Sequence, residues 1–102
     1  MIEVHLQSMG EESSAADVVI DCFPFVIGRR LDCNHRLSHE CVSRRHCCLL
    51  LKGEEVWIQD LESTNGTYLN GNRIEVPQVL REGDRIALDT FSFQVSFALV
   101  TK

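Results

Sequence analysis

Three short stretches of this sequence hold the residue types that grip an anion: Gly28-Arg29-Arg30, Val42-Ser43-Arg44-Arg45-His46, and Ser63-Thr64-Asn65-Gly66-Thr67-Tyr68-Leu69-Asn70-Gly71. Arginine offers a planar fork of N–H donors, a serine or threonine hydroxyl adds another, and glycine lets the backbone come close to a bound group. Each stretch is weak alone, since Gly-Arg after a strand and Asn-Gly in a hairpin are both common. Together they supply the donors that one phosphate needs. Five of the ten basic residues, Arg29, Arg30, Arg36, Arg44 and Arg45, lie between positions 28 and 46, opposed there by only Asp32 and Glu40. A chain of formal net charge −5 thus keeps one window positive, and fills it with the side chain suited to bidentate anion contacts.

Two other constellations carry less. Ser43, His46 and Asp60 are the residue types of a hydrolase triad, but a triad also needs a His within hydrogen-bond reach of the Ser, an orienting group behind it and an oxyanion hole. The segment Cys33-x-His35-x-x-x-His39-x-Cys41 places four soft ligands within nine residues. Its one-residue gaps differ from the two-to-four-residue gaps of ordinary zinc modules. No metal and no cofactor are expected, and the segment reads as a recognition loop beside the anion site.

The elements that position these loops are short strands. Ile2, Val4 and Leu6 alternate with Glu3, His5 and Gln7, the period of a half-buried strand. Residues 8–17 read as a loop, and Pro24 either divides 18–29 into two strands or marks an edge. Residues 30–45 read as long connections around a short strand near Leu37. A hairpin spans 46–61 with its turn at Lys52-Gly53-Glu54, and a second spans 67–74 around Asn70-Gly71, a pair suited to a type I′ turn. Strands over 84–88 and 91–99 follow, the latter with Phe91, Phe93, Val95, Phe97 and Leu99 on one face. Trp57 falls on the face opposite Val56 and Ile58. On a strand Arg30 would point away from Arg29 and read as surface charge.

Many short strands separated by turns predict an all-β protein, an antiparallel sandwich or barrel. At 102 residues the chain is expected to be one domain, residues 1–102. The acidic balance argues against a nucleic-acid binder, and no apolar run approaches the roughly 20 residues that cross a bilayer. Residues 1–7 carry no basic, apolar leader pattern. The five cysteines form no CxxC pair, which suits a reducing compartment, so an intracellular setting is expected. Cys47 and Cys48 read as small hydrophobes on opposite faces of a strand.

The order Gly-Arg, then Val-Ser-Arg-Arg-His, then Ser-Thr-Asn-Gly-Thr-Tyr-Leu-Asn-Gly, continued by Leu80-Arg81-Glu82-Gly83-Asp84-Arg85-Ile86-Ala87-Leu88 and a Phe-rich final strand, closely resembles the forkhead-associated (FHA) domain. The resemblance covers essentially the whole chain. It implies a sandwich of about eleven strands that binds phosphothreonine in partner proteins through loops at one end and performs no chemistry. By the same resemblance Arg29 and Ser43 contact the phosphate, and Arg44 contacts phosphate or peptide backbone. Thr64 approaches the phosphate and shapes the pocket for the threonine methyl group, and Asn65 grips the peptide backbone. Gly28, His46 and Gly66 shape and brace the loops, and Asn70 holds a hairpin turn. The implied partner is a phosphothreonine-containing protein in Ser/Thr-kinase signalling, with neither nucleic acid nor membrane, and the chain would serve as the recognition domain of a larger regulatory protein. The alternative is a phosphate-independent structural or oligomerisation domain. Asn70→Ala is expected to cost mainly stability, Asn65→Ala mainly peptide affinity.

The sequence departs from the family at two positions that influence selectivity, the first of them near the peptide's C-terminal side. Asp89-Thr90 stand where many relatives carry a Gly, and Cys41 precedes Val42. The preferred sequence around the phosphothreonine is therefore left open.

Overall fold

The computed structural model describes residues 1–9 and 17–100, and within them eleven strands. They are β1 (Ile2–Met9), β2 (Val18–Ile20), β3 (Phe25–Gly28), β4 (His35–Arg36), β5 (Cys47–Lys52), β6 (Glu55–Asp60), β7 (Tyr68–Leu69), β8 (Asn72–Arg73), β9 (Gln78–Val79), β10 (Arg85–Leu88) and β11 (Phe91–Leu99). One sheet runs β2-β1-β11-β10-β7-β8 and the other β4-β3-β5-β6-β9. The all-β sandwich of about eleven strands expected from the sequence is the fold observed. Of the loop expected over 8–17, Ser8 and Met9 belong to β1, and positions 10–16 lie outside the described residues.

Alternation explains the core. Val4 and Leu6 of β1, Ile86 and Leu88 of β10, and Phe93 and Val95 of β11 are fully buried, and they face Ile27, Leu49 and Ile58 of the second sheet. The long β1–β11 pair runs from Ile2 opposite Leu99 to Met9 opposite Ser92, which ties the two ends of the described chain together. Cys47 packs in the core, whereas Cys48, also buried, stands outside that cluster, as opposite faces of one strand require. Trp57 is partly buried, with the Lys52 ammonium 4.9 Å from its ring centroid.

The single-face pattern of the last strand fails at its end. Phe93 and Val95 are buried and Phe91 and Phe97 partly so, but Leu99 is 86% exposed, because the pairing that continues to Ile2 outruns the cover of the opposite sheet. Two features had no local signal: the two-residue strand β9, and the parallel pairing of β3 with β4, Ile27 opposite His35 and Gly28 opposite Arg36. The strand expected near Leu37 is β4, which ends one residue before it.

Turn chemistry sets the registers. Asn70 and Gly71 take φ of 51° and 85° between Leu69 and its partner Asn72, as a type I′ turn demands. Gly53, at φ 61°, turns β5 into β6 where Lys52 pairs Glu55.

Candidate functional site

Beyond β3, β4 and β6 the chain leaves the sheets in three loops that bond to one another. The first two meet along the backbone, where Arg29 N–H donates to the Ser43 carbonyl at 3.0 Å and Arg30 N–H to the Arg44 carbonyl at 3.1 Å. Gly28 makes this approach possible. A Cβ there would stand 2.3 Å from the Arg44 carbonyl oxygen, so any side chain would force the 43–45 segment outward.

Arg29 is exposed, yet its Nε donates to the Val42 carbonyl at 3.0 Å, which fixes the direction of the guanidinium and leaves its terminal nitrogens for a ligand. The Ser43 hydroxyl accepts the Thr64 N–H at 2.9 Å, so its own proton remains available to donate outward. That bond holds the Thr64 backbone against Ser43, and Thr64 itself is exposed. Asn65 bridges loops as well, its Nδ2 donating to the Cys41 carbonyl at 2.9 Å, with a second amide proton and the Oδ1 still unused by that bond.

Buried beneath them is His46. Its Nδ1 accepts the Ser43 N–H at 3.1 Å, which leaves Nε2 as the donor to the Gly66 carbonyl at 2.8 Å and so assigns the tautomer. The imidazole joins the Ser43 loop to the Gly66 loop across twenty residues of sequence. A triad would instead require Nε2 or Nδ1 on the Ser43 hydroxyl and Asp60 behind the ring, and both ring nitrogens are engaged elsewhere. Gly66 takes φ 88°, a conformation costly for other residues, and lies against the Arg73 side chain.

Asp60 organises the third loop, a role with no counterpart in the sequence reading. Its Oδ1 accepts the Ser63 hydroxyl at 2.5 Å and the Thr67 hydroxyl at 2.7 Å, and its Oδ2 accepts the Ser63 N–H at 3.1 Å. Ser63 and Thr67 are both buried, so the carboxylate pins the two ends of the segment carrying Thr64 and Asn65. Burial pushes the Asp60 carboxyl up, but the bonds from Ser63 and Thr67 outweigh it and hold the carboxyl below its ordinary value. The only sequence signal was an Asp followed by hydroxyl residues three and seven positions on.

Asn70 sits apart from these loops. Its amide oxygen accepts the Arg85 N–H at 2.9 Å and its Nδ2 donates to Asp84 Oδ1 at 3.0 Å, which braces the hairpin turn against the start of β10.

The cleft beside the loops, about 480 Å³, is lined by Arg29, Arg30, Leu31, Arg36, Ser38, His39, Glu40 and Arg44. Arg30 shares it with Arg29, contrary to the expectation of opposite faces, because β3 ends at Gly28 and strand alternation stops there. Arg30 pairs with Asp32 at 3.1 Å. Of the soft-ligand segment, the Cys33 thiol donates to the Arg44 carbonyl at 3.2 Å and the His39 Nδ1 accepts the Cys41 N–H at 3.1 Å. The His39 ring stands edge-on to Phe91, 5.6 Å between centroids. Among the described residues no three His, Cys, Asp or Glu side chains converge as a metal site would need. Burial, then the neighbouring Asp89 carboxylate, push the Cys41 thiol up to about 11. Asp89 itself takes φ 55°, a left-handed conformation that a Gly would adopt freely.

Comparison with known proteins agrees with this geometry. A family model described as FHA domain matches residues 25–89. The proliferation marker protein Ki-67 of Mus musculus is 38% identical over 69 residues, which are 68% of this chain and 2% of that protein. The structure of Mycobacterium tuberculosis EmbR in complex with a low-affinity phosphopeptide superposes with a TM-score of 0.85 at 26% identity, covering 98% of this chain and 26% of that one. A structure described under phosphothreonine-dependent FHA domain interactions superposes with a TM-score of 0.80 at 28% identity, covering 97% of this chain and 98% of that one. The chain therefore spans only a small part of the curated relatives' length, about 2% for Ki-67.

Proposed function

The chain belongs to the FHA domain family, and from that premise we propose that it is a phosphothreonine-dependent protein–protein interaction module of Ser/Thr-kinase signalling. One observation carries the reading to particular residues: Thr64 N–H on the Ser43 hydroxyl, which joins the loop bearing Arg29, Ser43 and Arg44 to the loop bearing Thr64 and Asn65. A phosphothreonine brings about −1.5 to −2 charge and three strong acceptor oxygens. In this reading the Arg29 fork, the Ser43 hydroxyl proton, Arg44 and the Thr64 hydroxyl meet those oxygens, while Asn65 holds the peptide backbone. Gly28, His46 and Gly66 keep the loops in register.

Each hydrogen bond to a charged group contributes roughly 1.5–3 kcal/mol. Three or four of them, less the cost of ordering a flexible peptide, correspond to micromolar binding, about −8 kcal/mol. Such a contact forms and dissolves with the phosphorylation state of its partner, and it requires no catalytic step and no cofactor. We read residues 1–102 as one recognition domain that acts inside the cell within a larger regulatory protein, on partners that carry phosphothreonine.

The test is titration of one peptide in its phosphothreonine, phosphoserine and unphosphorylated forms. The phosphothreonine form should bind at least tenfold more tightly than the unphosphorylated one, and Arg29→Ala or Ser43→Ala should abolish that preference. Asn65→Ala should weaken binding with little change in melting temperature, whereas Asn70→Ala should lower the melting temperature and spare affinity. Equal binding of all three peptides would favour a phosphate-independent interaction domain instead.

A further inference from the structure

The arginine cleft is larger than the phosphate reading uses. Arg29 and Arg44 are assigned there to the phosphate, and Arg30 is paired with Asp32 at 3.1 Å. Arg36 remains. It is exposed on β4, its Nε donates to the Arg29 carbonyl at 2.9 Å, and among the described residues it forms no ion pair with any carboxylate. Glu40 lines the same cleft but does not come within ion-pair distance of it. The tether through Nε fixes the guanidinium plane beside Arg29 and leaves the terminal nitrogens as an unpaired fork, the geometry that a carboxylate or a phosphate takes in bidentate fashion.

We propose that Arg36, with Ser38 on the same cleft, forms a second anion subsite that takes one further acidic group of the bound peptide. This rests on the phosphothreonine reading and extends it to partner choice: the chain selects phosphothreonine segments that carry an aspartate, a glutamate or a second phosphorylated residue nearby. Arg29 borders both sites, so the two anions lie within a few residues of each other on an extended peptide, which advances about 3.3 Å per residue. The shared chemistry is a planar or tetrahedral oxyanion facing a guanidinium fork. An uncharged flank leaves that fork facing solvent.

The experiment measures fluorescence anisotropy with a phosphothreonine peptide of uncharged flanks, its unphosphorylated counterpart, and versions with a single Glu moved through the four positions on either side. A final version places phosphoserine where Glu acts best. In the native chain one position, or two neighbouring ones, should tighten binding about tenfold, equivalent to about 1.4 kcal/mol, and comparison of Glu with phosphoserine there identifies which anion the subsite prefers. The ratio of uncharged-flank to acidic-flank dissociation constants should fall towards one in Arg36→Gln and stay intermediate in Arg36→Lys, which keeps the charge and loses the fork. A flat scan overturns the proposal, as does a ratio that survives in Arg36→Gln. Equal weakening of every peptide by Arg36→Gln also overturns it, since that is the signature of a brace for Arg29. If the uncharged-flank phosphothreonine peptide binds no better than its unphosphorylated counterpart, the phosphothreonine reading itself falls and takes this one with it.

Discussion

Asp60 illustrates how one side chain governs a site it does not line. It accepts from Ser63 and Thr67 on either side of Thr64 and Asn65, so its charge is spent on loop shape. Its carboxyl is held below the ordinary value near 3.9. A depressed folded value means that the stabilisation is fully present above about pH 4 and is lost as pH falls through the folded value. Asp60→Asn should therefore melt lower than the native chain by a margin that is constant from pH 7 to pH 5 and shrinks below about pH 4, as the unfolded carboxyl takes up a proton first and the folded one only at lower pH. A margin that stays constant through acid would show that the charge contributes nothing. Asp60→Ala should cost about 2 kcal/mol in chemical denaturation and weaken phosphothreonine binding, because Thr64 and Asn65 lose their support.

At the scale of elements, the decisive contact is between the end of β3 and the loop before β5. That contact is backbone on backbone, with no flexible side chain to give way. Gly28→Ala would bring a Cβ to 2.3 Å from the Arg44 carbonyl oxygen and 2.9 Å from its carbonyl carbon. The 43–45 segment must move, and Ser43 and Arg44 move with it. We expect at least a tenfold loss of phosphothreonine affinity together with a lower melting temperature. Gly53→Ala is the matched control, since a Cβ there meets nothing within 4 Å and only the positive φ of 61° is strained. It should cost about 1 kcal/mol and leave peptide titration unchanged. Similar affinities for the two variants would mean that the Gly28 crossing does not position the site.

For the whole molecule, the apolar core and the polar loops occupy different regions and are held by different forces. The core between the sheets is apolar and closed, whereas the loops are held by hydrogen bonds among polar groups and by the single buried imidazole of His46. Phe93, fully buried on β11, should cost about 3–5 kcal/mol when cut to Ala. Leu99, on the same strand face but 86% exposed, should change stability by less than about 0.5 kcal/mol. Urea denaturation midpoints of the two variants measure this directly. Comparable losses would mean that Leu99 is covered in solution by a surface outside the described residues.

The loops, the turns and most strands were legible in the sequence because their causes are local. Alternation marks a half-buried strand such as β1, and Asn70-Gly71 adopts the positive φ angles that its hairpin requires. The motif order likewise identified the family before any geometry. What only the tertiary structure decided has causes far apart in the chain. Alternation assigns Leu99 to a face but does not say where the opposite sheet stops covering it. Arg30 and Arg36 share a cleft with Arg29 because β3 ends at Gly28 and β4 pairs with it in parallel, a pairing with no local signature. His46 meets Gly66 across twenty positions. Asp60 was visible as a residue, but its part in holding the loop that carries Thr64 and Asn65 exists only once Ser63 and Thr67 are buried around it.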